Sequence, residues 1–134
     1  MSTTAYWLVK TEPGDFSYDD LVRLKRDRWD GVRNPGALKN MRSMHPGDLA
    51  FVYHTGDERR IVGICRVVSE PYPDPRADDP RWVVVDVEPV ERVMRPITLA
   101  EIKADPTYKD WELVRQGRLS VMPVPEAIWQ RLQG

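Results

Sequence analysis

A single cysteine, Cys65, in 134 residues leaves the chain no internal disulfide and no cysteine-pair metal site. Histidine is nearly as scarce, and His45 and His54 lack the HxxxH and HExxH spacings of zinc sites. No P-loop, G-x-G-x-x-G or G-x-S-x-G occurs, so the motif-borne nucleotide and acyl-transfer chemistries are absent. No apolar run is long enough to span a bilayer and no charged-then-apolar leader is visible, so a cytoplasmic protein without membrane contact is expected. A large excess of either charge is also missing. A net charge of −1 argues against a whole-surface grip on nucleic acid. Catalytic residues, metal and cofactor are therefore expected to be none.

Local charge says more than the total. Between Arg23 and Arg42 seven basic residues stand against Asp27 and Asp30, and between Glu70 and Glu91 seven acids stand against Arg76 and Arg81. The chain is polarised along its sequence, which fits either a solvated face or a phosphate-facing patch.

The length predicts one domain spanning residues 1–134. Residues 5–11 read as a strand. Residues 16–27 read as a helix with Ser17 at its N-cap and Leu21 and Leu24 facing inward. In "NPGALKNMRSM", Asn34 occupies a cap position, Pro35 the first helical position, and Leu38 and Met41 stand three apart. "HPGD" is a turn, and the runs "LAFVYHT", "IVGICRVVSEP" and "RWVVVDVEPVERV" read as strands. "TLAEIKAD", "YKDWELVRQ" and "PEAIWQRLQ" follow as helical patterns around the apolar "LSVMPV". Cys65, within an apolar run, reads as a small buried hydrophobe. Strands joined mostly by short loops, with helices near both ends, predict an α+β fold: a curled, mostly antiparallel, partly closed sheet flanked by helices.

Trp29 is the odd aromatic. Its neighbours Arg28, Asp30, Gly31 and Arg33 do not read as core. An aromatic face beside polar donors is how proteins hold an unstacked base, and Asn34 has a donor and an acceptor for a base edge. Arg28, Arg33, Lys39 and Arg42 would then meet flanking phosphates.

The stretches "YWLVKTEPGDFSYDDL", "WDGVRNPGALKNMRSMHPGDLAFVYHTG" and "IVGICRVVSEPYPDP" resemble the EVE domain, in the form carried by the thymocyte nuclear protein family and its bacterial relatives. "W-x-G-V-R-N" followed by "M-x-x-G-D" is quite specific, and the likeness covers nearly the whole chain. The resemblance implies a PUA-like small curled β-barrel, related to the YTH readers of methylated adenine. It implies a pocket for a flipped, modified base in DNA or RNA, with modified cytosine the leading candidate. Carried onto this chain, Trp29 would stack on the base and Asn34 would read its edge. Gly31 and Val32 would form the floor, Lys10 and Thr11 one wall, and Tyr53, His54 and Thr55 the other. Where many relatives have a Ser and a Pro-Gly, this chain has Thr55 and the charged loop Asp57, Glu58, Arg59, Arg60.

The expected partner is thus a nucleic acid carrying a modified base, met by a monomer. Two other readings stay open. One is a nucleic-acid-modifying or -cleaving enzyme using Lys10 and His54, and the other is a protein-interaction module built on exposed aromatics.

Overall fold

The structure, a computed structural model, describes residues 4–133. The chain runs β1 (Tyr6–Thr11), α1 (Tyr18–Leu24), β2 (Asp27–Trp29), α2 (Pro35–Arg42), β3 (Leu49–His54), β4 (Arg60–Val67), β5 (Tyr72–Pro73) and β6 (Val83–Thr98). There follow α3 (Leu99–Ala104), a 3-10 turn (Pro106–Tyr108), α4 (Glu112–Arg115), β7 (Val121–Pro123) and α5 (Glu126–Gln133). The strands form one curled sheet in the order β2-β6-β4-β3-β1-β7, with β5 beside β6. Five of the six pairings are antiparallel, and β1 with β3 is parallel. The fold is α+β, as the sequence predicts.

The β1–β3 pair is parallel because α1, β2 and α2 lie between them in the chain, giving the crossover that parallel neighbours require. Both strands sit inside the sheet, so their side chains are buried in runs rather than alternately: Trp7, Leu8 and Val9 on β1, and Ala50 to His54 on β3. Cys65 is wholly enclosed in β4, and burial pushes its thiol up to about 12. It is a packing residue.

The predicted helix 16–27 is cut short. Ser17 does cap it, in a capping box with Asp20, but the helix closes at Leu24, where Lys25 turns left-handed. Leu24 is 50% exposed rather than inward, while Leu21 is fully buried. Residues Asp27–Trp29 instead form β2, paired antiparallel with Asp86 and its neighbours on β6. The strand "RWVVVDVEPVERV" extends to Thr98, whose hydroxyl caps α3. The pattern "YKDWELVRQ" resolves into the end of the 3-10 turn and the four residues of α4.

Gly63 seats α1 on the sheet. A Cβ at this position of β4 would stand 2.6 Å from the Tyr18 ring. With hydrogen there, Tyr18 lies flat against β4 and its hydroxyl reaches the carbonyls of Ile64 (2.7 Å) and Glu91 (2.9 Å). Phe16, just before α1, is thereby held against β2. On the other side of the sheet, α5 inserts Trp129 between Tyr6 and Phe51, with ring centroids 4.6 and 4.0 Å away.

Candidate functional site

A cavity of about 430 Å³ opens where the end of β1, the turn before α1 and the end of β2 converge. From β1 come Lys10 and Thr11, from the turn Glu12, Asp15 and Phe16, and from β2 and its exit Asp27, Arg28, Trp29, Asp30 and Gly31. Arg76 reaches in from the loop before β6. Glu12, Asp15, Asp27 and Asp30 outnumber the cations of the lining, so the interior disfavours a phosphate and offers acceptors to a neutral ligand with N–H groups.

Each wall follows from local sequence. Trp29 stands opposite Val85 in the β2–β6 ladder, which fixes its ring beside Phe16: the centroids are 6.0 Å apart and the planes 86° from parallel. Only 5% of Trp29 is exposed, so the expectation that its charged neighbours keep it out of the core is overturned. The reason is the strand. Side chains alternate across β2, so Arg28 faces away from Trp29, and its charge helps keep the Asp86 carboxylate ionised. Arg28 Nη1 is buried there without a hydrogen-bond partner among the described residues. Gly31, at φ +79°, makes the reversal that follows β2, a conformation L side chains rarely adopt, and lets buried Val32 turn back into the core.

The β1 wall is pre-arranged. Thr11 donates its hydroxyl to the Phe16 carbonyl at 2.7 Å. Glu12 accepts from the Gly14 N–H, and its carbonyl takes the N–H groups of both Asp15 and Phe16, which closes the turn. Lys10 donates to the Gly117 carbonyl at 2.9 Å and lies 5.4 Å from the centre of the Tyr53 ring. Its burial holds the ammonium below the usual lysine range.

Trp29, Gly31, Lys10 and Thr11 therefore meet at one cavity, while Val32, expected as its floor, is buried in the core and, like Asn34, does not line it. Tyr53, His54 and Thr55 are not among its lining residues. His54 is buried, with the Tyr18 N–H donating to its Nε2 at 3.0 Å and its Nδ1 2.9 Å from Glu58. Both ring nitrogens are thus engaged in holding α1 to the β3–β4 turn, and Glu58 is drawn below the usual carboxylate range chiefly by that contact. Thr55 reaches Thr11 O and Glu12 Oε2 at 3.3 and 3.4 Å. Asn34 is exposed, and its side-chain oxygen accepts the Ala37 N–H at 3.1 Å as the N-cap of α2, with Pro35 following as the sequence predicts. Lys39 and Arg42 are exposed on the last turns of that helix, and Arg33 stacks on the Trp82 ring, 3.8 Å from its centre.

Reading the residues one by one did not find Phe16, the carboxylates Glu12, Asp15, Asp27 and Asp30, or Arg76. The "TEPGDF" turn directly after a strand was the only local signal for the first of these. Nothing local marks Arg76, which lies far along the chain in a segment that reads as acidic.

The profile of the EVE domain matches residues 5–134. Thymocyte nuclear protein 1 of Mus musculus is 34% identical over 90% of this chain and 69% of its own length. Its Homo sapiens counterpart is 32% identical over 92% and 70%. An Agrobacterium tumefaciens crystal structure superposes with a TM-score of 0.93 at 36% identity, covering 97% of this chain and 91% of the other. The crystal structure of the human THYN1 protein in complex with 5-methylcytosine-containing DNA gives a TM-score of 0.87 at 31% identity, covering 97% and 96%.

Proposed function

The chain belongs to the EVE domain family, and from that membership we propose that it is a reader of a modified base, with a modified cytosine the first candidate. The observation that carries this reading is the cavity beside Trp29. At about 430 Å³ it lies toward the small end of ligand clefts, which run from about 300 to 1,000 Å³, so it suits one extruded base. Its carboxylates favour cytosine in particular, because the 4-amino group donates and Asp or Glu is its natural partner. Trp29 supplies an apolar wall. The human relative that is solved with 5-methylcytosine-containing DNA supports the same reading.

Phosphates would stay outside the cavity. Arg33, Lys39 and Arg42 on the α2 side are the contacts for them, Arg28 being turned toward Asp86. Asn34 keeps its amide N–H groups for a ligand while its oxygen caps α2. We read the protein as a binder and not an enzyme, since His54 spends both nitrogens on Tyr18 and Glu58 and Lys10 points to Gly117.

Fluorescence anisotropy with oligonucleotides differing only in one central 5-methylcytosine, made as DNA and as RNA, tests the reading. Tighter binding of the methylated member of a pair is expected. Equal affinity across modified and plain cytosine in both backbones would end it.

A further inference from the structure

Several arginines hold no carboxylate among the described residues, and two of them, Arg33 and Arg42, meet the loop before β6. Arg26, Arg66, Arg95 and Arg131 each hold a carboxylate within 3.1 Å. Arg33 and Arg42 hold none among the described residues. The planar guanidinium of Arg33 lies over Trp82 at 3.8 Å, and Arg42 donates to the main-chain carbonyl of Arg81. Arg76 stands at the cavity mouth with only a loose contact, 4.0 Å, to Asp30.

Trp82, Arg81 and Arg76 all belong to one loop, and that loop is tied into shape. Buried Asp74 donates its N–H to the Trp82 carbonyl (2.8 Å), accepts the Ala77 N–H on its own carbonyl (3.1 Å) and takes the Arg76 N–H on its carboxylate (2.9 Å). Arg81 is neutralised by Asp79 at 2.6 Å, so it contributes its carbonyl to Arg42 rather than its charge. The loop thus brings three cations to itself: its own Arg76, Arg33 through Trp82, and Arg42 through the Arg81 carbonyl. Stacking on an indole restricts an arginine's rotamers, and in Arg33, whose Nη1 donates to the Val32 carbonyl at 3.1 Å, the remaining N–H groups face no carboxylate and are left for a phosphate.

We propose that residues 74–82 form the second jaw of the nucleic-acid surface, in which Trp82 positions Arg33 and, with Arg76 and Arg42, grips the backbone phosphates flanking the extruded nucleotide. This rests on the base-reading function proposed above. It adds a loop that the sequence presents as acidic, and it makes an uncharged residue part of the electrostatic contact.

The probes are a 5-methylcytosine oligonucleotide and its plain twin, titrated by anisotropy at several KCl concentrations. Arg33→Ala and Arg76→Ala should each weaken both probes alike and flatten the log–log salt slope by about 0.7–0.9, the value of one phosphate contact. Trp82→Ala, which removes no charge, should weaken both probes several-fold. The Arg33→Ala/Trp82→Ala double variant should bind no worse than Arg33→Ala alone, and Trp82→Phe should restore binding. Additive losses in the double variant, a changed ratio between the two probes, or unchanged slopes for Arg33→Ala and Arg76→Ala would overturn the proposal. If Trp82→Ala fails to fold, the arginine slopes and Trp82→Phe still decide it. A wild-type protein without preference for the methylated probe would sink the base-reading function, while the salt slopes would still report on the backbone contact.

Discussion

Trp29 and Trp129 are buried almost equally, at 5% and 1% exposure, yet they have different surroundings. Trp129 is sandwiched between Tyr6 and Phe51, with an aromatic ring on each side. Trp29 meets Phe16 edge-on and lines a cavity of about 430 Å³. Burial thus fails to separate a tryptophan packed between rings from one that lines a cavity. What separates them is what lies against the ring: two aromatic faces stacked on Trp129, and for Trp29 one edge contact and a cavity wall.

The comparison breaks most readily at Trp129. Trp129→Ala removes the centre of a three-ring stack and should cost about 3–5 kcal/mol of stability, read by chemical denaturation. Any protein that remains folded should keep its preference for the methylated oligonucleotide. Trp29→Ala should lose about 1–3 kcal/mol of affinity, the usual worth of a base–aromatic stack. Because Trp29 also belongs to the core, some melting temperature should go with it. Unchanged affinity in a folded Trp29→Ala protein would make the two tryptophans equivalent after all.

Asn34 sharpens the contrast at the edge of the site. Asn34→Ala should cost about 1 kcal/mol as a lost N-cap, whereas Asn34→Asp caps equally well but has no N–H to give a base. The melting temperature of Asn34→Asp should therefore match wild type while binding falls. Retained binding would leave Asn34 a cap alone.

The smallest expected effect concerns pH. The Tyr72 hydroxyl, donating at 2.6 Å, and Arg26 hold the Asp86 carboxyl below its ordinary range. With a folded pKa below the unfolded value, the stabilisation is complete above about pH 4 and lost as pH falls through the lowered folded value. Tyr72→Phe should thus cost roughly 1 kcal/mol at neutral pH, and urea melts of the two proteins should converge on acidification. The Trp129 stack contains no carboxylate, so the Trp129→Ala deficit should not change over the same interval.

Much of this was legible in the chain. Ser17 and Asp20 as a capping box, Asn34 followed by Pro35, the buried run around Cys65 and the strand runs are all signals carried by residues a few positions apart, and local backbone geometry answers to them directly. Of the four cavity residues, Lys10, Thr11 and Gly31 followed from the likeness to a family, while Trp29 was singled out by its charged neighbours, a signal its burial overturns.

Tertiary structure decided the rest. The sequence is split into a basic and an acidic segment, but β2 pairs with β6 and the two halves meet, giving Arg26 with Asp86, Arg76 near Asp30 and Arg42 on Arg81. Polarity along the chain becomes partial neutralisation in space, with Arg33 and Arg42 left without a carboxylate among the described residues. The same pairing buries Trp29 despite its charged neighbours, and the docking of Tyr18 over Gly63 brings its N–H to His54. The physical reason is the same each time. A charge, a ring or an imidazole takes its role from the group opposite it, and in a sheet that group is set by strand order and register between segments far apart in sequence.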